Sequence, residues 1–398
     1  MKIHRVLLAA LVSISASVCL AADWPVWRGP QGDGISQESD WRASALDSPR
    51  IVWRHNVGDG HSSFAVRGNR VYTMGNVNDE DFIYCLDAAT GREIWKFKYD
   101  CPKGNYGGPR STPVLDGDYL YALSRNGQVH CIDVKNRSLK WKRNIVELEG
   151  ISIPTWGLAS SGVIADGKLL FCVGKYGIAL DKNSGETIWS GPGGESSYST
   201  PVIYRDGSRQ CAAMFSAKSV NAVEVSSGNL LWSYPWHTKY DVNAADPIVS
   251  GDRMFISSSY NRGGALLDIS GPQPRKIWEN KSMANHFSSS VLIDGHLYGV
   301  SGNTGGAEVV CVVFATGEEK WRHGRGYEGL MAADGKLIIM DRKGFLTIAE
   351  ATPSGYSELA SAQVLTDRGA KNWTVPVLAN GRIYCRNSKG DVACVDMR

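Results

Sequence analysis

Groups able to do chemistry gather in eight short polar and aromatic segments of this 398-residue chain: 59–62, 106–110, 154–156, 195–198, 236–243, 285–286, 327–328 and 371–373. They supply His61, Arg110, Trp156, Tyr198, His237, Asn243, Asn285, His286 and Trp373, a mixture of rings, imidazoles, amides and one guanidinium that suits a ligand pocket. Taken singly, each residue is as well explained by solvating a funnel and satisfying strand ends. Taken together, they mark a rim where a ligand could sit. A neutral imidazole can act as a base or a metal ligand, which singles out His61, His237 and His286. Their wide separation gives no ligand spacing and no H-E-x-x-H is present, so no metal site is expected.

Other chemical signatures fail on context. Gly324, Gly326 and Gly329 fit G-x-G-x-x-G, but they precede a strand pattern, leaving no helix terminus for a pyrophosphate. Residues 162–168 approach a phosphate loop, but Leu169 stands where Ser or Thr would be needed. No G-x-S-x-G elbow occurs.

The segments are spaced by a repeat. Trp53, Trp95, Trp141, Trp189, Trp232, Trp278 and Trp321 return about every 45 residues, a period that signals a repeat architecture. Residues 111–141 show the unit. A strand begins at Ser111, Asp116-Gly117 turns, Tyr119 to Leu123 forms a second strand, Asn126-Gly127 makes a hairpin, and two more strands end on Trp141. Four short antiparallel strands make one propeller blade. The second-strand entry recurs at Gly68, Gly117, Gly167, Gly207, Gly251, Gly295, Gly335 and Gly381, which predicts an all-β, eight-bladed β-propeller with almost no helix. The Trp residues are expected to dock flat between blades as structural seams. The seventh blade lacks its Trp, with Leu359 near the expected place. The last blade stops after its third strand, and residues 50–53 are expected to supply the fourth, closing the ring and removing an open edge.

The chain divides into a signal peptide over 1–22, an arm over 23–48 lying outside the blades, and one propeller over 49–398. Lys2 and Arg5 precede an apolar run ending in Ala21 and Ala22, the pattern of an exported protein's leader. Cys19 lacks the Leu of a lipid-attachment site, so ordinary cleavage and a periplasmic or extracellular product are expected. Losing Lys2 and Arg5 lowers the formal charge from +3 to +1, which is no nucleic-acid footprint. No later stretch is apolar enough to span a bilayer. Cys85, Cys131, Cys311 and Cys394 fill one repeat position that elsewhere holds Ala179 or Ala222, a pattern of small buried slots with free thiols.

The phrases 179–189, ending on Asp181, Gly185 and Trp189, and 85–95, ending on Asp87, Gly91 and Trp95, resemble the tryptophan-docking motif of PQQ-like propellers. That family includes quinoprotein alcohol dehydrogenases and BamB outer-membrane assembly factors, and the resemblance covers about residues 50–398. Trp24-Pro25-Val26-Trp27-Arg28-Gly29-Pro30 with the phrases around His286 and Trp373 is similar to an exported subgroup. Asn136-Arg137 and the insertion near 268–278 depart from the motif. The resemblance implies three functions. The first is a non-catalytic, monomeric binding or scaffold propeller that takes a protein or other ligand at its mouth and needs no cofactor. The second is a dehydrogenase using pyrroloquinoline quinone with calcium, with Trp156 or Trp373 as stacking floor and Asp246, Glu328 or His286 as catalytic candidates. That reading is weakened because the chain has no adjacent cysteine pair. The third is a BamB-like assembly factor.

Overall fold

Each repeat folds as a hairpin pair because its turns supply the backbone the hairpins need. The entry glycines, from Gly68 (φ 51°) to Gly381 (φ 69°), all take positive φ. At Asp166, Asp294, Asp334 and Asn380 the preceding residue does too, the mark of a tight hairpin turn. The computed structural model describes residues 22–366 and 369–398; the leader through Ala21, with Cys19, lies outside them. Eight four-stranded antiparallel units surround one axis. Blades 1 to 4 span 65–100, 114–144, 163–190 and 202–235, and blades 5 to 7 span 248–280, 291–323 and 327–363. Blade 8 combines 377–396 with the N-terminal strand Arg50–Asn56, antiparallel to Asp391–Asp396 with Trp53 opposite Cys394. The expected clasp is therefore present. Helix is confined to Ala43–Leu46, Ile145–Glu149 and Lys239–Asp241 among the described residues.

The seams explain two sequence patterns at once. Trp53 donates its Nε1–H to Ala88 O (2.9 Å), Trp189 to Val225 O (3.0 Å) and Trp278 to Phe314 O (2.9 Å), each on the following blade's turn. Trp141 and Trp321 do the same to Lys182 O and Thr352 O. A Cβ on Gly91 would lie 2.5 Å from the Trp53 ring, so that glycine lets the indole lie flat on the turn. Trp95 and Trp232 face the two departures, Asn136-Arg137 and the 268–278 insertion, and neither indole bonds the next turn's carbonyl among the described residues. Across their own blades most of these Trp oppose the small slot: Trp95 faces Cys85, Trp141 faces Cys131, Trp189 faces Ala179 and Trp232 faces Ala222, whereas Trp278 faces Leu266. All eight described cysteines are buried and unbridged.

Blade 7 departs from expectation in a specific way. In register, Ala360 opposite Ile348 occupies the tryptophan position, and Leu359 is 40% exposed. The arm fills the resulting gap. Trp41 and Leu46 pack in one cluster with Ala360 and Ala362. Arg42 N–H donates to Met397 O (2.8 Å), the carbonyl that a blade 7 indole would have reached. The rest of the arm does not skirt the ring but crosses its axis. Trp24 pairs with Val66 of blade 1, and Pro25 O accepts from Leu115 N of blade 2. Arg28 donates to Ser290 O of blade 6, and Ile35–Ser36 adds a parallel strand to the inner edge of blade 7. Glu38 then accepts from Asn380 N and Gly381 N of blade 8. The arm thus plugs the end of the channel where the entry turns lie.

Candidate functional site

The opposite mouth is built by the loops that carry each outer strand to the next inner strand. A belt of short side chains holds these loops in register. Ser63 N donates to Thr112 Oγ1, Thr112 N to Ser161 Oγ, and Ser161 N to Thr200 Oγ1. Thr200 N donates to Asp246 Oδ1 (2.7 Å), and Asp246 N to Ser289 Oγ (2.8 Å). The belt crosses from blade 1 to blade 6 and satisfies inner-strand amides that have no strand partner on the axis side. Asp246, a candidate base, is a belt member at a place where other blades use Ser or Thr.

Its second oxygen has a further duty. Asp246 Oδ2 accepts from Trp27 Nε1 (2.7 Å), and Arg28 Nε lies 4.0 Å away. Burial pushes the carboxyl upward, opposed by Arg28 and by the amide and indole donors. Each oxygen thus accepts one hydrogen bond, so Asp246 anchors the arm and the belt while also lining the cavity of the mouth.

Above Trp27 lies a cavity of about 300 Å³. Six of the nine expected rim residues line it: His61, Arg110, Trp156, Tyr198, His286 and Trp373. Three do not. Asn243 is buried, donating to Ser216 O and Ala217 O and accepting from Ser258 Oγ. Asn285 is buried against Val300 O and Ser290 Oγ. His237 is exposed and away from the cavity. These amides carry the loops rather than the ligand. Trp236, which the repeat left unexplained, is also core, with Nε1 on Ser258 Oγ and the Arg262 guanidinium 3.4 Å from its ring centre.

The wall is a nearly continuous aromatic collar. Trp373 stacks on His61 (5.0 Å, 22°) and meets Phe287 (4.9 Å, 47°) and Tyr106 (5.9 Å, 35°). Phe287 stacks on His286 (3.7 Å), whose other neighbour is Tyr260 edge-on at 5.1 Å. Tyr240 links Tyr260 (81°) to Trp156 (89°), and Trp156 leans on Tyr198 at 47°. The rings around Trp156 and Tyr240 are mutually tilted, and with the stacked His61–Trp373 and His286–Phe287 pairs they form a cup. The helix Ile145–Glu149, capped by Asn144, and the parallel pair Ile151–Ser152 with Gly194–Glu195 bring the Trp156 and Tyr198 loops together.

Within the cup, polar groups stand without partners. Among the described residues neither ring nitrogen of His286 has a hydrogen-bond partner, nor does His61 Nδ1. His286 is only 9% exposed, and burial pulls its pKa down to about 4. His61 is held well below its usual range by burial and by Arg110, Arg386 and Arg125. Arg110 is steered by carbonyls alone: Nε to Trp156 O (2.6 Å) and Nη2 to Tyr106 O (2.7 Å). Burial and Arg125 lower its pKa to about 10. Glu328, the other candidate base, lies in a small crevice that shares His286 and Thr304 with the main cavity. Burial raises its carboxyl to about 7 even though it accepts from Gly305 N.

Sequence reasoning missed Trp27, Tyr260 and Phe287. Trp27 had a signal, since the repeat explains no tryptophan before Trp53. Tyr260 also had one: it sits in a hairpin turn at φ 55°, where Gly or Asn is the usual occupant. Among the described residues, no group of three or more His, Cys, Asp or Glu is placed to hold a metal ion. Among the described residues no helix is long and apolar enough to cross a membrane.

Comparison with known proteins agrees with this architecture. A family model described as outer membrane protein assembly factor BamB matches residues 39–105 and 83–323. The BamB assembly factor of Kangiella koreensis is 26% identical over 139 residues, covering 33% of this chain and 32% of that protein. The chain thus spans about a third of the length of that curated relative. BamB from Moraxella catarrhalis superposes with a TM-score of 0.65 at 15% identity, over 87% of this chain and 99% of that one. A quinohemoprotein alcohol dehydrogenase from Comamonas testosteroni superposes with a TM-score of 0.68 at 13% identity, over 94% and 80%. At such identities the superpositions speak to fold alone.

Proposed function

Because the chain belongs to the PQQ-like propeller family described by the BamB assembly factor, we propose that it is a non-catalytic recognition propeller that binds its ligand in the aromatic cup. It works as an exported monomer, in the periplasm or outside the cell, after loss of residues 1–22. The observation that carries this reading is the cup itself: tilted rings surround unpartnered imidazoles, while the carboxylate at its floor is already bound to Trp27 and Thr200. Such a site is built to hold a ligand.

The family also offers a quinone with calcium, and the residues present fit it poorly. A flat quinone needs a parallel-faced slot, whereas Trp156 meets its neighbours at 47° and 89°. A calcium ion needs several oxygen ligands, and Asp246, each oxygen of which already accepts a hydrogen bond, is the single carboxylate on the cavity lining among the described residues. The test is to add quinone and calcium to the purified protein, then follow absorbance and dye-linked alcohol oxidation. Stoichiometric uptake with turnover would sink the binding reading. A second reading, an assembly scaffold for outer-membrane proteins, rests on the family model alone and predicts capture of an outer-membrane β-barrel protein through the same face.

A further inference from the structure

The charge around the cup points to the kind of ligand. Three guanidiniums, Arg110, Arg125 and Arg386, lie near His61, and none has a carboxylate partner among the described residues. Arg386 is fully buried, held only by the oxygens of Ser62, Thr73, Met74 and Gly58. Exposed Lys371 adds a second cation to Arg110 on the cavity lining, with its backbone bonded to Ser388 through both N–H and carbonyl. The nearby carboxylates are engaged elsewhere. Asp59 faces Lys103 and Lys389, Asp246 holds the arm, and Glu328 opens onto the adjoining crevice. On the cavity lining itself the cations are therefore Arg110 and Lys371, with Arg125 and Arg386 behind them, and the lining carboxylate is Asp246, already bound to Trp27 and Thr200, in surroundings where such charge acts strongly.

The rest of the cup narrows the shape. The rings stand at 47° to 89° around Trp156 and Tyr240, which fits a puckered ring with polar edges better than a flat one. The unpartnered nitrogens of His61 and His286, with Thr304 and Thr374 on the lining, offer several donors and acceptors suited to hydroxyl groups. The cavity, about 300 Å³, holds one or two such rings. We propose that the mouth binds an acidic sugar: a pyranose seated among Trp156, Tyr198 and Trp373, its carboxylate or sulfate facing Arg110 and Lys371. This inference rests on the reading of the mouth as a binding site.

The test titrates the mature protein with four probes, read by calorimetry and tryptophan fluorescence: a glucuronate trisaccharide, a sulfated galactose trisaccharide, a neutral glucose trisaccharide and 2-naphthoate. One or both acidic sugars should bind at least 10-fold more tightly than the neutral one, and which binds distinguishes carboxylate from sulfate. Their affinity should fall as salt rises. Arg110→Gln should weaken the acidic sugar about 10- to 100-fold, the loss of a charge-assisted hydrogen bond. Because Arg110 also steers Trp156, Lys371→Gln is the second variant. It should weaken the acidic sugar about 2- to 5-fold, as an exposed ion pair would, with Tm unchanged. Equal binding of the neutral sugar, or no binding of any sugar, overturns the proposal. Binding of 2-naphthoate alone, lost in Trp156→Ala, overturns the sugar but keeps the mouth as a binding site. Quinone turnover would overturn both readings.

Discussion

Trp41→Ala tests whether the arm replaces the tryptophan missing from blade 7. Trp41 is 7% exposed and shares a cluster with Ala360, which stands at the register position of the other blades' Trp. A Trp ring buries about 150–250 Å², which at about 25 cal/mol per Å² is about 4–6 kcal/mol of transfer free energy. Measured Trp-to-Ala losses in cores run about 3–5 kcal/mol, because neighbours relax into part of the space. The expected destabilisation is therefore about 4 kcal/mol, similar to Trp189→Ala at an ordinary seam, where the ring is 8% exposed. The assay is urea unfolding, joined with hydrogen exchange across Glu358–Gln363, the outer strand of blade 7. That strand should lose protection in Trp41→Ala and keep it in Trp189→Ala. A loss below about 0.5 kcal/mol, the size of an ordinary surface substitution, would refute the reasoning. So would unchanged exchange at that strand, since the indole would then be filling no seam.

Two buried groups beside the cup should give opposite pH slopes. His286 is lowered from 6.5 to about 4, so the unfolded chain binds its proton first, and stability falls as pH drops from 6.5 towards 4. Glu328 is raised from 4.5 to about 7, so the folded state holds its proton longer, and stability falls as pH rises from 4.5 to 7. Each effect is worth about 3 kcal/mol at most. Glu328→Gln should therefore make stability climb more steeply with pH than in the wild type, and His286→Gln should flatten or reverse that climb. Denaturant midpoints from pH 4 to 8 check both, and identical profiles in all three proteins would show that neither group titrates as its burial implies. The thiols form a third case. Burial pushes Cys85 up to about 11 and Cys131 up to about 12, and all eight described cysteines are buried. They should resist a thiol reagent at pH 8 in native protein and react in urea; fast native labelling of Cys85 or Cys131 would contradict the seam packing. Finally, Gly228→Ala should cost several times more stability than Gly207→Ala. Both take positive φ, but a Cβ on Gly228 would lie 2.5 Å from Trp189, while one on Gly207 meets open space.

Much of the ring was legible because a repeat prints each contact several times. The Asp-Gly turns, the spaced Trp and the Cys-or-Ala slot are periodic signals, and each reports a local or nearest-blade interaction. They gave the blade number, the seams and the clasp formed by residues 50–56 with 391–396. The site was less legible because its signals occur once. Nothing in the spacing of His61, Arg110, Trp156, Tyr198, His286 and Trp373 separates them from Asn243, Asn285 and His237. Which way a loop residue faces depends on loop geometry and on partners in another blade. Asp246 shows the limit: as a residue type it suggested a base, but its two oxygens are claimed by Thr200 and by Trp27, the latter 219 positions away. The arm shows it again. Its sequence places it outside the repeat, and only closure of the ring creates the channel it crosses and the empty seam it fills. Sequence alone thus determined the elements and their order, since those follow from turn chemistry and period. The tertiary structure decided which side chains meet at the mouth, because that depends on contacts between residues far apart in the chain, which no local pattern encodes.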